Sequence, residues 1–251
     1  MIKTRLADTA PAALELCNLR TPQGADSAHS TSRRFGQLES YYSRRGLTVR
    51  WAALVDGCID TELMTAAFDA LDSAALERFF RDLPAPIGHV MVTAGRPSYG
   101  RLLDMDLAEL RRDVEAHLLL AVQVARHAAK KVRPGGTLLF MGGTGGRRQA
   151  VGLGIVPALT AASPALTASL ALELAPVRVN LIAAGFVDTP LSASLLGGEL
   201  ENRRNQLRAT LPIRRVVGPA DVAALAVHIM TNTALTGATY DIDGGQQFVA
   251  P

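Results

Sequence analysis

Ile87-Gly88-His89-Val90-Met91-Val92-Thr93-Ala94-Gly95 is the stretch on which the fold turns. It is a short, nearly continuous apolar run that ends in small residues, the pattern of a strand covered on both faces. On its N-terminal side Asp72 stands where a helix N-cap belongs. Leu76, Phe79, Phe80 and Leu83 follow at i, i+3, i+4, i+7 spacing, a buried helical stripe. Phe68-Asp69-Ala70-Leu71 reads as the end of an earlier strand. On the C-terminal side a long helix is predicted over Leu107–Val132, with Leu110, Val114, Leu118, Val122 and Ala125 along one face. Arg133-Pro134-Gly135-Gly136 should then form a turn.

The alternation continues. Thr137–Met141 reads as a buried strand running into the glycine-rich loop Gly142–Gly146, Pro157–Leu174 as a helix and Val177–Ile182 as a strand. Leu195–Thr210 is polar and helical. Gly218-Pro219-Ala220-Asp221 opens the last helix, with proline at the first helical position where its missing N–H does no harm. Thr239–Ile242 is the last strand, closed by Asp243-Gly244-Gly245. Pro164 lies inside a predicted helix, where proline costs ~3 kcal/mol, so a kink or a late start is expected there. Continuous apolar strands separated by helices imply a parallel sheet with helices on both faces. No linker or composition shift divides residues 1–251, so one α/β domain is expected.

The first sixty residues fit this pattern poorly. Ala12–Leu19 and Gly46–Trp51 are candidate strands, Arg33–Arg45 a candidate helix and Thr21–Ser32 a polar loop. A dinucleotide-binding turn needs clustered glycines so that backbone amides can approach a diphosphate. Here Gly24, Gly36, Gly46 and Gly57 stand alone.

Composition removes several classes of function. With 48% hydrophobic residues and a net charge of +3 over 251 residues, the chain can bury a large core and is not a disordered polyelectrolyte. Its basic residues are scattered and not interleaved with aromatics, which argues against nucleic acid. Cys17 and Cys58 make neither a disulfide framework nor a zinc site, and suit a reducing compartment. Met1–Ala10 lacks an apolar leader segment, and no run approaches the ~18 apolar residues of a membrane span. A cytoplasmic protein without membrane or metal is expected.

In their order, Phe68-Asp69-Ala70-Leu71-Asp72, Val92-Thr93-Ala94-Gly95, Leu170–Glu173 with Val177-Arg178-Val179-Asn180, Ala184–Pro190 and Gly237–Gly245 resemble the markers of the short-chain dehydrogenase/reductase family. The resemblance covers about Ala66–Gln246. It implies a doubly wound Rossmann-type parallel sheet of about seven strands and an NADP or NAD cofactor. By it, Asp69, with Ala70 beside it, would meet the adenine, and Thr93, Ala94 and Gly95 would floor the adenosine ribose. Gly185, Val187 and Thr189 would border the nicotinamide. Each has a plainer reading: Asp69 a turn carboxylate, Ala94-Gly95 a tight turn, Thr189 a helix start.

The pattern breaks at the chemistry. The family uses a tyrosine to move the hydroxyl proton and a lysine four residues later, on the same helix face, to lower its pKa. At that spacing stand Val156 and Thr160; the serine position falls at Gly143 or Thr144, and the usual asparagine of the long helix is His117. Thr144, Arg147, Arg148, His117 and Tyr99 are weighed as substitutes, and none carries a catalytic assignment. The resemblance therefore implies an atypical oxidoreductase acting on a small carbonyl or alcohol, or else an inactive nucleotide-binding or interaction protein on the same scaffold. Arg44, Arg45 and Arg50 near a possible second strand tilt the cofactor toward NADP. Leu191–Leu211 would cover the substrate. The two long helices and the tail Phe248–Ala250 would pair copies into a dimer or tetramer.

Overall fold

The computed structural model describes residues 15–17, 68–83 and 85–249. The predicted segments between 18 and 67, Arg44, Arg45 and Arg50 included, lie outside them. The described strands form one sheet in the order β1 (Glu15–Cys17), β2 (Ile87–Val92), β3 (Val132–Gly143), β4 (Arg178–Ala184) and β5 (Thr239–Ile242). β2 to β5 are parallel. β1 differs from the expectation, because it pairs antiparallel with β2 at the edge. Five strands stand where about seven were expected, counted among the described residues alone.

Alternation along the strands builds two cores. Val90, Val92, Leu138, Phe140, Val179 and Leu181 face one side, under α1 (Ser73–Asp82) and the helices that follow β2 and β3. Met91, Leu139 and Ile182 face the other, under Ala226, Ile229 and Met230 of α7 (Pro219–Thr231). Asp72 caps α1 by accepting from the Ala74 and Ala75 amides, and Leu76 and Phe80 are buried as the stripe predicts. The expected strand end at 68–71 is instead irregular chain and a turn. Its Ala70 is fully buried and its Phe68 packs on Phe79 at 4.9 Å between ring centroids, so an apolar run that plugs a core has imitated a strand.

The long helix departs from its predicted face. α2 (Leu107–Val114) passes through a π turn (Glu115–Leu119) into α3 (Leu120–Ala128). The Leu120 amide bonds the Glu115 carbonyl, five residues back. The wider turn changes the phase, so Leu120, Ala121, Val124, Ala125 and Ala128 are buried. Of the predicted stripe only Ala125 is buried; Leu110, Val114, Leu118 and Val122 are half-covered. The helix ends at Ala128, and Val132 already pairs with Ile87. The predicted turn Arg133–Gly136 is looped out within β3: Ile87 and His89 pair with Val132 and Thr137, a two-residue step opposite a five-residue one. Gly135 takes φ +73° there.

Pro164 does not interrupt α4 (Val156–Glu173). Thr160 and Ser163 bond their hydroxyls back to the Val156 and Leu159 carbonyls, filling acceptors in that part of the helix. The predicted helix over 195–210 is two: α5 (Pro190–Leu196) and α6 (Leu200–Thr210), joined through Gly197 at φ +52°. α7 starts as expected, with the Asp221 carboxylate accepting the Gly218 amide at 2.9 Å. Among the described residues no helix is long and apolar enough to cross a membrane.

His89, 3% exposed on β2, yields a pH prediction. Burial first, and then the charges of Arg133 and Arg178, push its imidazole down to about 4. The unfolded chain takes up a proton near 6.5 and the fold refuses it until about 4, so stability present above pH 6.5 is lost as pH falls through that window. The loss amounts to about 3 kcal/mol across the window. Denaturant titrations at pH 7 and pH 4.5 should show the wild type losing more stability than His89→Leu; equal losses would refute the assignment.

Candidate functional site

The carboxyl ends of β2 to β5 lie along one edge of the sheet, which is where a parallel α/β sheet leaves room for a ligand. Each strand delivers a short small-residue turn to that edge.

β2 delivers Thr93, Ala94 and Gly95, all half-buried. Gly95 takes φ +119°, and a Cβ on it would stand 3.2 Å from Nε2 of His117, so this turn admits no side chain without displacing the ring. His117 sits in the π turn, and its Nδ1 donates to the Asp113 carbonyl at 2.8 Å. Nε2, the other ring nitrogen, faces Gly95. The buried Asp113 carboxylate accepts from the Ser98 hydroxyl at 3.0 Å and the Ser98 amide at 3.3 Å, tying the chain after Gly95 to α2. Ala94 also packs against the core that holds Ala70. Asp69 is exposed, and its Oδ1 accepts the Leu71 amide at 3.0 Å, a turn contact that leaves the carboxylate at the surface.

β3 delivers Gly142 and Gly143, followed by a short 3-10 turn, Thr144–Arg147. α4 lies directly on this turn. A Cβ at Gly143 would reach 3.3 Å from Thr160 Cγ2, and one at Gly146 would stand 2.7 Å from the Ala161 nitrogen. Val156 and Thr160 therefore do occupy the wall of the strand edge, where the resemblance places them. Neither can move a proton to a substrate. Val156 has no polar atom, and the Thr160 hydroxyl donates to Val156 O at 2.9 Å.

The two arginines that follow are drawn onto the C-terminal segment. Arg147 forms a bidentate ion pair with Asp241 and donates to Gln247 Oε1 at 2.7 Å. The Arg147 hydrogen bond holds the Asp241 carboxyl below its usual range. Arg148 donates to the Gln246 carbonyl at 2.6 Å. Tyr99 is half-exposed, and burial of its remainder pushes its hydroxyl up, away from proton transfer near neutrality.

β4 delivers Ala184 and Gly185. A Cβ on Gly185 would fall 2.6 Å from Asp243 Cβ and 2.7 Å from Gln246 Oε1. Gln246 Oε1 in turn accepts the Phe186 amide at 2.8 Å. Val187 bridges to Val217 in parallel register. Thr189 caps α5, its hydroxyl accepting the Ser192 amide at 3.2 Å, while the Ser192 hydroxyl donates to Val187 O. Thr189 is thus a helix cap at the strand edge, the plainer of its two readings. Asp188 receives a bidentate contact from Arg204, which fixes α6 beside this loop.

The structure brings Thr93, Ala94 and Gly95 to one end of the edge, and Gly185, Val187 and Thr189 to the other. Asp69 and Ala70 flank the first end. Gln246 and Asp243 were missed as organisers of the second. The only local signal was the Asp243-Gly244-Gly245 turn, with φ of +64° and +85° at its glycines. Among the described residues no group of His, Cys, Asp and Glu is arranged to hold a metal ion.

Comparisons with known proteins agree with this architecture. Residues 40–247 match a family model described as Enoyl-(Acyl carrier protein) reductase. The short-chain dehydrogenase/reductase ATR9 of Stachybotrys chlorohalonatus is 26% identical over 180 residues, 68% of this chain and 69% of that protein. The 3-oxoacyl-[acyl-carrier-protein] reductase MabA of Mycobacterium tuberculosis is 27% identical over 188 residues, covering 70% and 74% of the two chains. A crystal structure of a small-chain dehydrogenase in complex with NADPH superposes with a TM-score of 0.68 at 27% identity, covering 72% of this chain and 82% of that one.

The close approach of Gly185 to Asp243 is testable. Gly185→Ala should cost about 1–3 kcal/mol, since backbone must shift to admit the methyl group. A thermal midpoint equal to that of the wild type would contradict the packing.

Proposed function

Because the chain belongs to the short-chain dehydrogenase/reductase family, we propose that it binds NADP(H), with NAD(H) as the alternative, and acts as an oxidoreductase on a small carbonyl or alcohol. The observation that carries the reading is the strand edge itself, with Asp69 and Thr93–Gly95 at one end and Gly185–Thr189 at the other. The NADPH complex of the similar small-chain dehydrogenase supports the phosphorylated cofactor.

The residues present fit such a cofactor as a cradle. Gly95 at φ +119° and Gly185 against Asp243 keep both ends of the edge free of side chains. The surface carboxylate of Asp69 suits an adenine amino group, and the Thr189 hydroxyl suits a carboxamide. Bound there, the cofactor supplies hydride chemistry. The chain's own part is to hold and orient it, and α5 and α6, within 191–211, cover the substrate side.

Proton delivery is where the reading divides. A carbonyl that receives hydride needs a proton, and Val156 and Thr160 supply none. The second reading, a nucleotide-binding protein without turnover, is favoured by that one observation. Titration with NADPH and NADH, followed by turnover assays on a panel of ketones and aldehydes, separates the two. Binding with turnover in the unmodified protein supports the oxidoreductase. Binding with turnover only in the Val156→Tyr/Thr160→Lys double variant supports the inactive scaffold. No binding of either coenzyme at millimolar concentration removes both.

We take the protein to be cytoplasmic, one domain over 1–251, and paired with a second copy. The face carrying α2 and the start of α4 exposes Leu107 at 65% and Leu119 at 51%, and with Leu110, Val114 and Ile155 they line an open apolar groove. Light scattering should give a dimer or tetramer, and Leu119→Glu should shift it toward the monomer. A monomeric wild type would refute the pairing.

A further inference from the structure

A cavity of about 30 Å³ lies behind the strand edge, between the ends of β2, β3 and β4, the π turn and α4. Ala94 of the β2 turn forms part of its wall, and most of the wall is apolar. Its polar side chains are His117 of the π turn and Ser163 and Thr167 of α4. A water molecule needs roughly 10–15 Å³ and two or more polar partners, so this cavity has both the room and the groups for one.

Thr167 is 2% exposed, and its hydroxyl has no partner among the described residues. Thr160, Ser163 and Ser169 of the same helix instead bond back to carbonyls one turn earlier. A buried hydroxyl left unbonded is costly, and ordered water removes that cost. His117 stands across from it. Its Nδ1 hydrogen is donated to the Asp113 carbonyl at 2.8 Å, so a proton gained or lost by the ring is carried by Nε2. Nε2 faces the Gly95 turn. The Asp113 carboxylate is held by Ser98, Glu115 is the acid of the π turn, Thr93–Gly95 has no ionisable side chain, and α4 carries no charge before Glu173. His117 is the one titratable residue in the cavity wall.

We propose that this cavity binds ordered water between the Thr167 hydroxyl and the His117 imidazole, and that Nε2 of His117 passes protons between that water and the strand edge. A carbonyl reduced at its carbon by hydride leaves an electron pair on its oxygen. The Nε2 proton goes to that oxygen, and the water returns a proton to Nε2, so one solvent proton is consumed for each carbonyl reduced. The proton role deepens the oxidoreductase reading and rests on it; the water site does not.

Two measurements test the proposal. The first is a crystal structure of the full chain under xenon pressure, since xenon enters dry apolar cavities and not hydrated ones. The wild type should show water at Thr167 and no xenon, and Thr167→Val, the same shape without the hydroxyl, should lose that water. Xenon in the wild-type cavity, or water unchanged in Thr167→Val, would overturn the site. The second is reduction of the ketone and aldehyde panel. His117→Asn keeps a donor for the Asp113 carbonyl but has no Nε2. It should lower kcat about 100-fold, the share of a general acid, with KM and NADPH affinity unchanged. Thr167→Val should lower kcat about tenfold. Thr167→Ser should keep both water and rate, and Ser169→Ala, on the exposed side of α4, should change neither; thermal midpoints verify that the variants fold. Full kcat in His117→Asn would overturn the proton role. A wild type that binds NADPH and reduces no carbonyl would overturn it together with the oxidoreductase reading, while the water site is decided by the crystal.

Discussion

The guanidinium of Arg178, at the amino end of β4, is the contact on which the placement of β5 depends. It is 6% exposed and meets no carboxylate among the described residues. It donates instead to the carbonyls of Gly135, Ile229, Met230, Asn232 and Leu235 and to the Thr137 hydroxyl. Burial, helped by Arg133, holds it below the usual arginine range, so the charge is kept only because its N–H groups are satisfied. Four of those carbonyls belong to the end of α7 and the turn beyond it, where the helix dipole is negative and its last carbonyls lack partners. One side chain therefore joins the start of β4, the loop-out of β3 and the exit of α7. Asn180 extends the clasp by donating to Leu235 O at 2.9 Å and accepting the Ala238 amide. β5 is placed by this clasp, and β5 in turn brings Asp243 and Gln246 against Gly185.

Reading the fold from the residues succeeded where a local period and a local stop agreed. β5 was predicted with its observed bounds, because Thr239–Ile242 is short and closed by Asp243-Gly244-Gly245. The Asp72 cap and the stripe below it needed no information from elsewhere. The face of the long helix beyond Glu115 was misjudged because periodicity assumes a constant turn, and one π turn rotates everything after it. Arg133–Gly136 contains the residues of a turn and does leave the plane of the sheet. What could not be read was that Val132 already pairs with β2, since that pairing is fixed by Ile87, far back in the chain.

The site was legible in proportion to how local its contacts are. Thr189 caps a seven-residue helix through an amide three residues on, and Gly95 answers to its own φ angle. Gln246 and Arg178 were invisible as organisers because their partners lie some tens of residues away, and glutamine or arginine in a polar stretch suggests only solvent. Arg147 and Arg148 illustrate the same point. As a pair in a loop they look like a solvated patch, and folding turns them onto Asp241 and Gln246.

Fixed charge beside the edge sits on the loops and not on the first turns of α4. In the family pattern a lysine on the helix would hold both a tyrosine and a ribose. Here the Thr160 hydroxyl is spent on the carbonyl one turn back, and the helix lies close upon glycines at 143, 145 and 146. A threonine bonded to its own backbone adds no field to the site. The fixed positive charges nearest the edge of β3 are Arg147, which Asp241 neutralises, and Arg148, which no described carboxylate does. Positive charge at this strand edge therefore sits on a loop anchored by the C-terminal segment rather than on the helix. Such a loop keeps its geometry only while Asp243 holds the Gly245 and Gln247 amides, so the turn that closes β5 governs the electrostatics of the turn that closes β3.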